Sequence, residues 1–146
     1  VPFGRAATRR EGRHATVVAY SHMSVLALEA AEALAREGLD VEVIDLRTLM
    51  PWDRETVLDS VRRTRRCLVV HEDLRSAGFG AEIGATIAED AFMHLDAPVA
   101  RLTMPDVPSP HNAVLLDAVV PSVARIRARR AGRHESFGQD LAETAG

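Results

Sequence analysis

The sequence predicts a three-layer α/β domain in which helices cover both faces of a mostly parallel five-stranded sheet. Two observations predict this fold class. Short apolar runs rich in Val, Leu and Ile alternate along the chain with amphipathic helical patterns, which is the order that parallel sheets require. The 146 residues, 47% hydrophobic and 27% charged, also suit one globular domain with a substantial core. We therefore expect right-handed crossovers between the strands.

Four apolar runs bounded by polar or turn residues are predicted to be the buried strands. They cover residues 15–20, 41–46, 67–71 and 99–103. A fifth stretch, residues 5–10, is too charged for the centre of a sheet. It is predicted to pair at an edge of the sheet, where it could run antiparallel to its neighbour.

The first predicted helix covers residues 24–37. Its polar residues recur every three or four positions, and Gly38 supplies the stop. This spacing predicts that the inward face carries Val25, Leu28, Ala31 and Leu34.

Three further helices follow from capping and periodicity. Asp53 is the predicted N-cap of the second helix, which ends near Thr64. Apolar residues at every fourth position predict a third helix over 80–95. The last helical region covers 113–130, where Pro121 either kinks one helix or opens a second.

The composition excludes several functions for this chain. All 18 basic residues are Arg, so a Schiff-base lysine and the lysine of a phosphate-binding P-loop are absent. The formal net charge is −3, which gives no general attraction to nucleic acid or to an anionic membrane. Cys67 is the only cysteine, and its apolar neighbours predict a core thiol.

The sequence also predicts the compartment. One cysteine suits a reducing interior, and no apolar run approaches the roughly 20 residues needed to span a bilayer. We therefore predict a soluble cytoplasmic protein. The chain begins with Val rather than Met, and we expect it to be processed or cut from a longer protein.

Three histidines follow predicted strands and are candidates for acid–base or metal chemistry. They are His22, His71 and His111, and His71 is followed directly by Glu72 and Asp73. No close ligand spacing such as HxxxH occurs. Hydrogen-bonded loop or interface histidines are therefore the favoured interpretation.

The motif GFGAEIG at residues 78–84 is the one glycine-rich segment that could hold an anion. It does not directly follow a strand, and the turn YSHMS after the first strand has no glycine, so the dinucleotide fingerprint is missing. A helix-entry turn built on Gly78 or Gly80 is the favoured interpretation.

Two arginine clusters, at residues 62–66 and 125–130, lie at predicted helix C-termini. Positive charge at a helix C-terminus interacts favourably with the helix dipole, which explains these clusters better than nucleic-acid binding does. No aromatic residues that could stack on bases lie between the arginines. Trp52, the only tryptophan, is predicted to seal a loop onto the core or onto a partner.

Taken in order, these segments resemble the C-terminal domain of the beta subunit of thiamine-diphosphate-dependent 2-oxo acid dehydrogenases, a transketolase-type C-terminal domain. The resemblance covers about residues 3–130, and its most specific parts are IDLRTL followed by Pro51, HE at 71 and 72, GFGAEI at 78–83 and PD at 105 and 106. The chain departs from the pattern at Ser21, where the family usually has glycine.

The resemblance implies an assembly and docking domain without catalytic, cofactor-binding or metal-binding residues of its own. The complete enzyme would decarboxylate a 2-oxo acid and acylate lipoyl, using thiamine diphosphate and magnesium held by other domains. The implied partners are the pyrimidine-binding domain of the same subunit, the alpha subunit in a heterotetramer, and the dihydrolipoyl acyltransferase core. The interface candidates are Trp52, His71, Glu72, Gly78, Phe79, Gly80 and Asp106.

The domain is predicted to cover residues 1–132, followed by a mobile acidic tail at 133–146. Its docking candidates are Glu135, Asp140 and Glu143. Two alternatives remain open at this point. One is the C-terminal domain of a transketolase or a deoxyxylulose-phosphate-synthase-type enzyme. The other is a free-standing α/β module that binds a small anion near His22, His71 and the Gly78 loop.

Overall fold

A computed structural model describes residues 2–129, and its centre is a five-stranded sheet in the order β1-β3-β2-β4-β5. β1 pairs antiparallel with β3, and every other neighbouring pair is parallel. The predicted α/β class and the antiparallel edge strand are both confirmed. The strands are β1 (Ala7–Arg10), β2 (Ala15–Ala19), β3 (Val41–Asp45), β4 (Cys67–Leu74) and β5 (Ala100–Met104).

Helices cover both faces of the sheet and bury two apolar clusters. One cluster joins α1 and α5 to the sheet, and the other joins α2 and α3 to the opposite face. Cys67 lies in the second cluster and is buried, as predicted. The helices are α1 (Met23–Arg36), α2 (Arg54–Thr64), α3 (Phe79–Asp90), α4 (Ala113–Val119) and α5 (Val123–Ala128), with a 3₁₀ turn at Phe92–His94.

The inward face of α1 is only partly the predicted one, since Ala31 and Leu34 are buried as expected but the other two residues are not. Val25 is 43% exposed, and Leu28 is only partly buried. The buried apolar side of the helix carries Met23 together with Ala27 and its small neighbours. Because alanine side chains are short, α1 can lie close to the sheet on this side, which turns the larger Val25 toward solvent.

The third helix is shorter than predicted. It ends at Asp90, because Ala91 leaves the helical conformation (φ −129°) before the 3₁₀ turn that leads the chain back to the sheet. The last region is two helices with Pro121 between them, so of the two predicted alternatives a second helix, and not one kinked helix, is confirmed. Proline lacks the N–H that a continuous helix needs, and its ring clashes with the preceding turn.

β4 continues three residues past its predicted end. Its register against β5 shifts between Val70 and Leu74, which carries His71 and Glu72 beyond the regular ladder. Within the described residues, no helix has the length and apolar character needed to cross a membrane.

Candidate functional site

The carboxyl edge of the parallel strands, where ligand sites of such sheets usually lie, holds a packed group of aromatic rings. The rings of Tyr20, at the end of β2, and His71, on β4, stack at 5.7 Å with 9° between their planes. Phe79, the first residue of α3, meets Tyr20 edge-on at 6.5 Å and Trp52 edge-on at 6.4 Å. These four rings close this edge of the sheet. We call the group of Tyr20, Trp52, His71 and Phe79 the aromatic edge.

His71 is the fully buried member of the aromatic edge. Its Nδ1 accepts a hydrogen bond from the backbone N–H of Asp73 at 3.3 Å, so the ring proton of the neutral imidazole lies on Nε2. Nε2 has no hydrogen-bond partner among the described residues. Burial lowers the pKa of His71, with the nearby Asp73 opposing the shift and Arg101 adding to it. The imidazole is therefore neutral at pH 7 and closed to any substrate.

Glycine is required at two positions because His71 lies so close to α3. A Cβ on Gly80 would lie 2.2 Å from Nε2 of His71. A Cβ on Gly78 would lie 2.3 Å from the carbonyl oxygen of Leu74 and 2.8 Å from His71. The motif GFGAEIG is thus a helix-entry turn packed on an imidazole, as the favoured sequence interpretation held.

Two polar pairs complete the carboxyl edge. Ser21 takes a left-handed conformation (φ 56°), which glycine adopts most readily, and its hydroxyl donates to Glu72 at 2.9 Å. The carboxylate of Asp106, after β5, accepts from the backbone N–H of Ser76 at 2.8 Å and from its hydroxyl at 2.7 Å. These hydrogen bonds lower the pKa of Asp106. Both carboxylates therefore tie loops together across the edge.

The structure places the predicted interface residues in three environments. Trp52 and Phe79 are half-buried in the aromatic edge. His71, Gly78 and Gly80 are buried, so they shape this edge rather than offering contact surface of their own. Glu72 is partly exposed and Asp106 is exposed. Their role at an interface stays a prediction, and the tail candidates Glu135, Asp140 and Glu143 lie outside the described residues.

Sequence reasoning missed Tyr20 as a member of this edge. Burial raises the pKa of Tyr20 to about 12, with Asp73 and Glu72 adding to the shift. Its hydroxyl is buried without a hydrogen-bond partner among the described residues. The signal was its place at the end of an apolar strand, the same position that drew attention to His71.

The described residues do not bring the three candidate histidines together. Between residues 2 and 129, no three His, Cys, Asp or Glu side chains lie close enough together to hold a metal ion. His22 and His111 are exposed, whereas His71 is sealed from solvent. The three candidate histidines therefore do not form one site.

The arginine cluster at 62–66 is largely engaged within the fold. Arg63 pairs with the buried Glu42 at 2.8 Å, and Arg65 pairs with Asp96 at 2.7 Å. Arg62 pairs with Asp59 one turn earlier in α2. These ion pairs support the structural interpretation of the cluster over a nucleic-acid site.

The sheet topology and the closed aromatic edge define a doubly wound α/β domain. Residues 4–126 match the family described as "Transketolase, C-terminal domain", and the chain belongs to this family. The resemblance inferred from the sequence is thereby confirmed.

Curated relatives carry beta-subunit names. The chain is 45% identical over 123 residues to "Pyruvate dehydrogenase E1 component subunit beta-2, mitochondrial" of Oryza sativa subsp. japonica, covering 84% of this chain and 33% of the relative. It is 47% identical over 113 residues to "2-oxoisovalerate dehydrogenase subunit beta, mitochondrial" of Chaetomium thermophilum, covering 75% and 24%. The chain thus spans about a third or less of these relatives.

A solved structure described as "Split gene transketolase, inactive beta4 tetramer" is also similar. It superposes with a TM-score of 0.76 at 29% identity, covering 88% of this chain and 40% of that one. This superposition independently supports the fold.

Proposed function

We propose that this chain is the C-terminal assembly and docking domain of the beta subunit of a 2-oxo acid dehydrogenase. The complete enzyme decarboxylates a 2-oxo acid and reductively acylates lipoyl, and this domain contributes binding energy rather than chemistry. The beta-subunit names of the curated relatives support the assignment, as does the third or less of their length that the chain covers.

The observation that carries the assembly role is an apolar groove beside α3 and β5. The groove has a volume of about 770 Å³ and is lined by Ala85, Ala88, Phe92, Met93 and Val99, among others. Phe92 is 68% exposed and Met93 is 86% exposed. Contiguous exposed apolar surface of this kind is typical of protein–protein contacts. We therefore propose that neighbouring domains of the complex cover the groove.

Thiamine diphosphate and magnesium belong, in this proposal, to other domains of the complete enzyme. The carboxyl edge of this chain does not fit a diphosphate. Glu72 and Asp73 add negative charge there, the turn after β2 has no glycine, and Gly80 packs against the buried imidazole of His71. In this proposal the domain performs no step of the reaction itself.

The proposed partners are the pyrimidine-binding domain of the same subunit, the alpha subunit and the dihydrolipoyl acyltransferase core. The relatives are named as subunits, which supports an assembly of several chains. The cytoplasmic location stays a prediction.

The test is reconstitution from separate parts. The chain is mixed with the remainder of a beta subunit and the alpha subunit, and association is measured by calorimetry. We expect the variant with both Phe92→Ser and Met93→Ser to bind at least about tenfold more weakly, since two buried apolar side chains contribute a few kcal/mol. Glu89→Ser, at an exposed position of α3, is the matched control and should bind like the parent.

Two results would contradict the proposal. One is the absence of any association with the remainder of the beta subunit. The other is tight binding of thiamine diphosphate by this chain alone, which would place cofactor chemistry within it.

A second candidate is the C-terminal domain of a transketolase-type enzyme, and the split-gene transketolase structure favours it. Association with a transketolase remainder in preference to a beta-subunit remainder would select this candidate. The free-standing anion-binding module is less supported. The Gly78 loop packs on His71, and the carboxyl groups of Glu72 and Asp73, which come directly after His71, would repel an anion.

A further inference from the structure

A second apolar cavity lies at the amino edge of the sheet, on the side opposite the aromatic edge. It has a volume of about 210 Å³ and lies between α1, α5 and the first residues of β2, β3 and β4. Alanine side chains of α1 face the strands here, and their small size leaves space between the helix and the sheet. The buried apolar lining includes Ala27, Ala31, Leu34, Val41, Leu68 and Ile126.

The cavity has the size and the surface of a site for a small apolar group. A protein cavity of about 150 Å³ lined by aliphatic and aromatic side chains binds benzene. The cavity at the amino edge is larger than that, and its buried lining consists of apolar side chains. A phenyl ring or a branched alkyl group therefore fits inside, where burial of its surface and dispersion contacts with the lining favour it.

Positive charge lies at the mouth of the cavity. The polar lining residues are His14, Arg66 and Arg129, and both His14 and Arg66 are exposed. The other three arginines of the 62–66 cluster pair with carboxylates, whereas Arg66 forms no ion pair within residues 2–129. The Arg66 guanidinium is therefore a cation that an anionic group at the mouth can meet.

His14 supplies a hydrogen-bond donor at the same mouth. Its Nδ1 accepts from the backbone N–H of Asp40 at 2.8 Å, so the proton of the neutral ring lies on Nε2. The carboxylate of Asp40 is already engaged, because it pairs with Arg10 at 2.8 Å and with Arg13 at 3.7 Å. An anion at the mouth would thus find both a cation and a neutral donor, and hydrogen bonds to charged groups are the stronger ones.

We propose that this cavity binds a small carboxylic acid with an apolar body, either aromatic or branched aliphatic. The apolar body lies inside the cavity, and the carboxylate lies at the mouth beside Arg66 and His14. Such a ligand would join α1 and α5 to the strands and stabilise the folded chain, because it binds only the folded state. The site is separate from the groove beside α3, so it does not depend on the proposed assembly role.

The first test uses benzoate as the probe and benzyl alcohol as the uncharged control of similar size. In NMR titrations of the full chain, benzoate should cause saturable shifts of the backbone amides of Ala31 and Leu68. It should bind at least about threefold more tightly than benzyl alcohol, which is the effect expected of one exposed ion pair. Absence of saturable shifts at these amides, or equal affinity for the two probes, would overturn the proposal.

Four variants then locate the probe. Arg66→Gln should weaken benzoate binding about threefold and leave benzyl alcohol unaffected, whereas Arg62→Gln, in the same cluster but outside the cavity, should bind benzoate like the parent. Ala31→Leu fills part of the cavity and should weaken both probes at least about tenfold, whereas Ala85→Leu, in the groove beside α3, should weaken neither.

Two results of this comparison would overturn the proposal. One is unchanged benzoate binding in Arg66→Gln, which alters an exposed side chain and so tests the mouth whatever Ala31→Leu does to the packing of α1. The other is a loss of binding in Ala85→Leu, which would place the probe in the groove instead of the cavity.

Discussion

At the scale of single residues, the contact between Gly80 and His71 determines how closely α3 approaches the sheet. The imidazole is buried between the ring of Tyr20 and the start of α3, so it has no space into which it could move. The glycines of the GFG segment therefore serve close packing, and the effect of a substitution on stability should depend on the atoms that the new Cβ would meet.

Gly80→Ala should lower the free energy of unfolding by about 1–3 kcal/mol, because the new methyl would overlap the ring of His71. Gly84→Ala, one turn further along α3, is the matched control. A Cβ there meets nothing closer than 3.9 Å, so the higher helix propensity of alanine should stabilise the protein by up to about 1 kcal/mol. Urea unfolding measures the free energy of unfolding of both variants. Similar effects of Gly80→Ala and Gly84→Ala would refute the packing argument.

His71 should also make stability depend on pH. Because burial lowers its pKa in the folded state, the unfolded chain takes up a proton near pH 6.5 that the folded protein does not yet bind. Stability is therefore full above about pH 6.5 and declines as the pH falls, by up to about 1.4 kcal/mol per pH unit.

His71→Gln should remove this component, so the slope of unfolding free energy between pH 6.5 and 5 should be smaller in the variant than in the parent. Urea unfolding at a series of pH values measures both slopes. Parallel slopes would mean that another group causes the dependence.

At the scale of elements, the Asp53 cap connects the start of α2 to the N-terminal segment. Its carboxylate accepts from the backbone N–H of Thr56 at 3.1 Å, from the Thr56 hydroxyl at 2.8 Å and from the backbone N–H of Ala6 at 3.0 Å. Burial raises the pKa of Asp53, but these hydrogen bonds outweigh it and lower the pKa below its ordinary value.

Asp53→Ala should lower the free energy of unfolding by about 1–2 kcal/mol at pH 7, because it removes a helix cap and leaves the N–H of Ala6 without its partner. Since the folded pKa is lowered, the difference from the parent should shrink as the pH falls below about 4. Asp59→Ala, at an exposed position of the same helix, should stay within about 0.5 kcal/mol of the parent. Chemical denaturation at pH 7 and pH 3.5 checks both expectations, and a constant difference would contradict the cap assignment.

The sequence could predict those elements whose cause is local. Asp53 capped α2 as expected because its side chain and Thr56 are close in the chain. The exposed Val25 and the end of α3 at Ala91 were not predictable in this way. Both depend on how near a helix lies to the sheet, which is set by residues distant in sequence.

The same distinction explains the site. The glycine motif and the HE pair were visible in the sequence, but the stacking of Tyr20 on His71 required the parallel pairing of β2 with β4. A residue pattern shows which groups reach the carboxyl edge, whereas only the pairing of strands shows which of them touch.

At the scale of the whole molecule, the carboxyl edge of the sheet is closed by aromatic packing, whereas the apolar groove beside α3 and β5 is open to solvent. The acidic residues Asp140 and Glu143 belong to the C-terminal segment, which is the charged surface proposed to meet the acyltransferase core.

Neutralising that segment should slow association with the proposed partner, the dihydrolipoyl acyltransferase core, more than it weakens the final complex, since charge complementarity acts mainly on the encounter rate. The variant with Asp140→Asn and Glu143→Gln keeps the chain length and changes only the charge of the segment. We expect its association rate, measured by stopped flow, to fall severalfold at about 0.01 M salt and to match that of the parent near 1 M, where the Debye length is only about 3 Å. Equal rates at low salt, or unchanged binding after deletion of residues 134–146, would exclude charge-based docking by the tail and leave the apolar groove beside α3 as the proposed docking surface of this domain.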